Sequence, residues 1–254
     1  MSRIYRALSH RINHMACRNL NQRVLRYDCP HPIVSFTFDD FPASAYHTGG
    51  EILEQYGARG TYYVSLKLEA LENHQGRHFT QDDLGKLLES GHELGNHTYS
   101  HITCDDADAC AFEENTLLNQ RRLEQLFPGK GMKSFSFPKG VIKLKHHSVI
   151  SDRFETARSI VPGIHRKEIN LNYLYGTPLY ENNMSKDRIF QLRDSLLKDP
   201  GWLVLYTHDI RSAPSRFGIT SSLFEFAVRE FSLASIPILP VDQAVRYMSR
   251  QRNS

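Results

Sequence analysis

The chain has 254 residues, 40% of them hydrophobic and 23% charged, and its formal charge is +3. This composition suits a globular protein able to bury a sizeable core. The charge is too small to argue for a nucleic-acid binder, which needs a concentrated basic face, and no run of about 18 apolar residues exists to cross a membrane.

Residues 1–27 place Ile4, Leu8, Ile12 and Met15 at helical spacing with Arg3, Arg6, Arg11 and Arg18 between them, the pattern of a basic amphipathic helix. Its apolar stripe is expected to pack onto the domain or a second subunit, with peripheral association at an anionic membrane surface as the alternative. No continuous apolar segment follows the arginines, so no secretory signal is expected and a cytoplasmic location is the default. Cys17, Cys29, Cys104 and Cys110 lack the spacing of a zinc ribbon and are expected to be free thiols.

The run Ile33-Val34-Ser35-Phe36-Thr37-Phe38 reads as a buried strand of a parallel sheet, and it ends in Asp39-Asp40. Neighbours on a strand face opposite ways, so the two acids cannot make the same contacts. Paired carboxylates there are costly unless a metal, hydrogen bonds or protonation compensates. Either alone would read as a cap or turn acid.

A helix over 49–56 ends at Gly57, and a strand covers 60–65. Thr80 starts a helix running to Gly91, with Asp83 in an approximate capping box because Glu or Gln is usual there. Residues 92–97 form the third strand and 111–127 a helix stopped by Pro128-Gly129. A strand over 134–137 ends at Pro138-Lys139-Gly140. Residues 141–150 mix helix and loop, 156–161 are a short strand, and 162–182 an extended loop. The series closes with a helix at 185–198, a strand at 202–207, a helix at 221–232, a strand at 236–239 and a helix at 241–250. Strands alternating with helices predict βαβ units and one barrel-like α/β domain, residues 29–250, behind an extension of residues 1–28.

Three strand ends carry ionisable groups: Asp39-Asp40, His97 with His101, and His208-Asp209. Two His four residues apart share one face of a helical turn and can bind one metal ion. A carboxylate from a neighbouring strand end would complete a two-His, one-carboxylate site, an arrangement that activates water for hydrolysis. Zn²⁺ is the first choice of divalent ion, with Co²⁺, Mn²⁺ and Ni²⁺ suited to the same ligands. Asp209 reads as a solvent-facing turn acid, and Asp105-Asp106-Ala107-Asp108 as a solvated loop without calcium-site spacing.

Thr37-Phe38-Asp39-Asp40, His97-Thr98-Tyr99-Ser100-His101, Ser136-Phe137-Pro138-Lys139-Gly140 and Leu205-Tyr206-Thr207-His208 occur in the order and rough spacing of the polysaccharide deacetylases. The chain over about 31–245 resembles that family, carbohydrate esterase family four, also called the NodB-homology domain. The resemblance implies a distorted (β/α) barrel and metal-dependent removal of an acetyl group from a sugar. It implies that Asp40, His97 and His101 hold the metal, that Asp39 is the general base and that His208 is the general acid. The Lys139 N–H would face the oxyanion, Leu205 and Tyr206 would line a pocket for the acetyl methyl, and Thr98 would support the His-bearing turn.

The family often places an Arg where Ser136 stands and an aromatic where Lys139 stands. The usual Arg pairs with the catalytic Asp, so Arg158 is the expected substitute partner of Asp39. Lys139 suggests a substrate bearing an anionic group. Trp202 reads as core ahead of a sugar platform. The implied partner is an N-acetylated saccharide of a surface polysaccharide, or its glycolipid or nucleotide-sugar precursor. The rival readings are a hydrolase of non-sugar (cyclic) amides on the same barrel and a non-catalytic carbohydrate-binding barrel; the full set of ionisable residues argues against the second.

Overall fold

The computed structural model describes residues 3–27 and 31–251. Helix α1 (Arg3–Asn19) leads into strand β1 (Val24–Tyr27), and the central strand β2 (Ile33–Asp39) follows. Next come α2 (Ala43–His47), α3 (Gly49–Gln55), β3 (Thr61–Val64), a small hairpin of β4 (Glu72–Asn73) and β5 (Gly76–Arg77), α4 (Gln81–Glu89) and β6 (Glu93–Asn96). The middle of the chain gives α5 (Ala109–Leu126), β7 (Ser134–Ser136), α6 (Leu144–Arg153), β8 (Thr156–Arg158), β9 (Ile164–His165), β10 (Lys167–Asn170) and β11 (Thr177–Pro178). The last elements are α7 (Lys186–Lys198), β12 (Trp202–Thr207), α8 (Ser221–Leu233) and α9 (Val241–Gln251).

The main sheet runs β11-β12-β2-β3-β6-β7-β8, every neighbour parallel, with β9 added antiparallel to β12. Bridges from Ala157 and Ser159 to Leu174 carry β8 toward the segment before β11, so the sheet curls into the expected barrel-like form. β2 is buried along its whole length, which explains its near-continuous apolar sequence. Its outward residues Phe36 and Phe38 pack with Phe224, Phe231 and Leu205 in the sheet–helix layer. Leu205 therefore does not line the pocket as expected. Strand alternation sends Tyr206 there and Leu205 the other way.

Side-chain caps start α4, α5, α7 and α8. Thr80 and Asp83 form a complete capping box, so the shorter acid serves as well as Glu. Asp108, in the acidic loop expected to be solvated, caps α5, while Asp105 pairs with Lys143 at 2.8 Å. The N-terminal helix stops at Asn19, and residues 24–27 are a strand paired antiparallel with β10 instead of its continuation. Residues 236–239 form no strand. Only Ile238 bridges to Val34, on the early part of β2 that β3 does not reach. Trp202 is buried, its indole N–H donating to Ser35 Oγ at 2.9 Å, as a core residue should. Cys17, Cys104 and Cys110 are free, while Cys29 and the 28/29 domain boundary fall outside the described residues. No helix among the described residues is long and apolar enough to cross a membrane.

The barrel floor is tied by one carboxylate. Glu93 accepts from Thr61 Oγ1 (2.7 Å), Ser134 Oγ (2.7 Å) and the Asp242 N–H (3.0 Å), joining β3, β6, β7 and the start of α9. Burial, and then the Asp242 carboxylate, push the Glu93 carboxyl up to about 7. A folded value above the unfolded one means that the native state binds the extra proton, so stability falls as pH rises from the usual carboxylate range through 7. Thermal unfolding at pH 5 to 8 should show Tm falling with pH in the native protein and a flatter dependence in Glu93→Gln. Equal slopes would remove Glu93 from the account.

Candidate active site

At the end of β2 the backbone breaks into left-handed geometry. Asp40 has φ 63° and Phe41 φ 54°, so the strand pleat ends between the two acids. Thr98, His101 and Lys139 around the same pocket also have φ between 55° and 59°. For β-branched Thr98 this is an outlier, of the kind that stores about 1–3 kcal/mol and persists where surrounding structure enforces it. Thr98 is buried, its N–H held by Asn96 Oδ1 at 2.9 Å.

Asp40, His97 and His101 converge, with one potential ligand atom from each within 4.8 Å of the others. Asp40 Oδ1 lies 3.1 Å from His101 Nε2 and 3.5 Å from His97 Nε2. The two His are not on a helical turn, contrary to the spacing argument. Residues 97–101 are an irregular loop, and its left-handed residues bring the rings to 5.1 Å. His97 Nδ1 donates to the Ser136 carbonyl at 2.7 Å, which leaves Nε2 its lone pair. Burial, ahead of the opposing charges, pushes the His97 imidazole down to about 4 and so keeps it neutral.

The rest of the chain serves Asp40. Gln75, from the β4–β5 hairpin, donates to Asp40 Oδ2 at 3.0 Å, and His78 Nδ1 donates to its backbone carbonyl at 3.1 Å. Oδ1 is left buried without a donor. An acceptor of that kind beside two imidazole nitrogens fits a divalent cation, which replaces the missing hydrogen bond. Burial opposes ionisation of Asp40 most strongly, yet the three imidazoles outweigh it and hold its carboxyl well below the usual range.

Asp39 points elsewhere. Arg158 Nη2 contacts both its oxygens, Oδ2 at 2.5 Å, and also donates to Ser136 Oγ at 2.6 Å. The guanidinium is buried between the rings of Tyr63 (5.2 Å) and Tyr206 (4.5 Å). Gly176 permits this: a Cβ there would lie 2.9 Å from Arg158 Nη1 and 2.5 Å from the Ser159 carbonyl. Burial alone would raise the Asp39 carboxyl, but Arg158, with His97 and His208, holds it below the ordinary value.

His208 follows β12, with Nε2 3.9 Å from Asp40 Oδ2 and the ring near Phe217 (5.4 Å) and Tyr180 (5.9 Å). Asp209 is not a solvent-facing turn acid. It is fully buried and accepts from Arg211 Nε, the Ser215 N–H and Ser215 Oγ, building the 209–218 loop instead of orienting an imidazole. Arg211 also donates to the His74 carbonyl at 2.7 Å, clamping the hairpin that carries Gln75.

These elements enclose a cleft of about 730 Å³ containing Asp39, Asp40, His97, His101, Lys139, Tyr206 and His208. Sequence reasoning missed Gln75, Tyr180, Arg216 and Phe217, which also line it. The hairpin, the segment after β11 and the 209–218 loop bring them in, and none has a periodic signal.

The sequence profile described as "Polysaccharide deacetylase" matches residues 26–152. No curated protein matches the chain. Among solved structures, a mutant of peptidoglycan deacetylase PdaC from Bacillus subtilis is similar at 16% identity, covering 89% of this chain and 95% of its own, with a TM-score of 0.59. A family 4 carbohydrate esterase from Streptomyces lividans, in complex with acetate, is 18% identical over 82% of this chain and 91% of its own (TM-score 0.57). A family 4 acetyl xylan esterase from Clostridium thermocellum, in complex with a cobalt ion, is 14% identical over 83% and 89% (TM-score 0.58). At such identities the likeness is one of fold.

Arg158→Met should lower Tm, because breaking one side of a buried ion pair costs ~3–5 kcal/mol. It should also move the acid limb of the kcat/KM profile to higher pH, since Asp39 would be buried without its cation. Arg158→Lys should retain part of the effect. An unmoved limb in Arg158→Met would break the link between this pair and the ionisation of Asp39.

Proposed function

This chain belongs to the polysaccharide deacetylase family, and from that premise we propose that it hydrolyses the N-acetyl group of a sugar in a surface-polysaccharide precursor. Its family consists of metal-dependent hydrolases of acetylated carbohydrate. The observation that carries the reading is the division at the end of β2: Asp40 Oδ1 joins His97 and His101, whereas Asp39 is held apart by Arg158.

Asp40, His97 and His101 would hold one divalent ion, Zn²⁺ first, with Co²⁺, Mn²⁺ or Ni²⁺ suited to the same donors. When bound, such an ion polarises the acetyl carbonyl and brings the deprotonation of water into the neutral range. Asp39, kept ionised by Arg158, takes the proton of the attacking water as its oxygen adds to the carbonyl carbon. The N–H of Lys139, a left-handed residue that lines the pocket, stabilises the oxyanion in this reading. His208 gives a proton to the nitrogen as the C–N bond breaks, releasing acetate and a free amine. A general acid on that side suits an amide, whose amine is a poor leaving group.

The pocket rim supports a substrate with a negative group. His74, Lys139 and Arg216 are exposed there, and the only acids lining it among the described residues are Asp39 and Asp40. Such a rim raises the local concentration of an anion, as in a sugar phosphate, a nucleotide sugar or a lipid-linked sugar.

Metal-loaded protein should release acetate from N-acetylated sugar precursors, and a chelator should stop it. Asp39→Asn and His208→Ala should each lower kcat by about 10²–10⁴. A metal-loaded protein inert across neutral, nucleotide-linked and lipid-linked acetyl sugars would overturn the proposal. Arg216→Ala should raise KM about tenfold for a phosphate-bearing substrate and leave a neutral one unchanged; equal effects on both would remove the rim from specificity.

A further inference from the structure

Helix α1 packs the wrong way round for an ordinary surface helix. At about 100° per residue, Leu8, Ile12 and Met15 form one face and His10, Asn13, His14 and Cys17 the opposite one. The polar face meets the barrel. Cys17 is fully buried in the cluster of Cys104, Phe112, Phe135 and Phe137. His14 hydrogen-bonds Tyr173 Oη and lies against the Gly140 backbone. His10 faces Asp105 at 4.0 Å. The apolar face is left in solvent, with Leu8 56%, Ile12 52% and Met15 61% exposed. The side chain of Ile4, at the head of this stripe, lies outside the described residues.

The helix is not loosely attached. Asn170 Nδ2 donates to the Arg18 carbonyl at 3.0 Å, Asn172 Nδ2 to the Asn21 carbonyl at 2.8 Å, and the Arg18 guanidinium stacks on Tyr175 at 5.4 Å. Its outward face is therefore fixed, and the helix sequence RIYRALSHRINHMACRN contains no acid. Arg11, exposed beside the apolar stripe, makes no ion pair among the described residues. An apolar stripe edged by a cation on a helix without acids is what an anionic lipid surface accepts: acyl chains take the stripe and headgroups take Arg11. A second copy of this chain would instead bring like charges together.

We propose that α1 seats the enzyme on an anionic bilayer through Leu8, Ile12, Met15 and Arg11. Gly140 lines the catalytic cleft and touches the inner face of α1, so the cleft lies about one helix diameter from that surface. This seat deepens the proposed deacetylation: the acetylated sugar is presented on a lipid carrier in the same membrane. It rests on that reading only for the substrate, not for the binding.

The test is co-sedimentation of full-length protein with phosphatidylglycerol/phosphatidylcholine vesicles and with pure phosphatidylcholine vesicles, at low and high salt. Wild type should bind the anionic vesicles, release at high salt and ignore the neutral ones. Ile12→Asp/Met15→Asp, both exposed, should weaken binding at least tenfold and leave acetate release from a water-soluble acetyl sugar unchanged. Arg11→Glu should act in the same direction. Wild type remaining in the supernatant, or binding that the double variant retains, overturns the proposal. So does a concentration-dependent dimer that the double variant dissolves in the absence of lipid. Loss of acetate release in every variant and in wild type alike would strike the catalytic reading and leave the membrane seat standing or falling on the vesicles.

Discussion

A parallel strand cannot end in two carboxylates without a separate answer for each, and the pocket is built around that constraint. Asp39 stays in the strand pleat and turns into the barrel, where Arg158 meets it between two tyrosine rings. Asp40 sits one residue later at φ 63°, swung away from its neighbour and toward His97 and His101. Adjacent acids of one sign would otherwise raise each other's pKa, and one would take up a proton. Here the cation beside Asp39 and the imidazoles beside Asp40 keep both ionised. Two acids with different partners can then do two jobs.

The strained backbone is the means. Asp40, Phe41, Thr98, His101 and Lys139 are non-glycine residues in left-handed conformations, and all sit where strands give way to loops at one end of the barrel. At Asp40 and His101 the left-handed backbone turns side chains together that a regular element would separate. Rigid structure holds them there: the barrel walls below, and above them the hairpin and the 209–218 loop, clamped together by Arg211.

Much of this was legible in the sequence. The strand before Asp39, the later strand 202–207 and the His pair are marked by runs or spacing that survive without tertiary context. The substitution of Ser136 for an arginine pointed to Arg158, because a buried carboxylate needs a cation from somewhere. Other features were not readable. His97 and His101 suggested a helical turn since spacing alone cannot distinguish it from a left-handed loop. Asp209 looked solvent-facing because three donors from a loop downstream bury it. Leu205 and Tyr206 are neighbours in one buried strand, and only the strand's phase decides which of them sees the cleft. The stripe of α1 was visible, but its outward orientation depends on Cys17 and His14 being the better fit to the barrel.

The contact between Arg158 and Ser136 couples two positions of the chain. Arg158 Nη2 bonds both Asp39 and Ser136, so positions 136 and 158 occupy one small volume next to one charge. An arginine placed at 136 alone would crowd two guanidiniums onto a single carboxylate, and removing it from 158 alone would strand that carboxylate. Neither single step is comfortable, whereas the double change is. The two sites are therefore coupled through one carboxylate: the pocket holds charge balance with a single guanidinium, and a change at either position alters what the other can be.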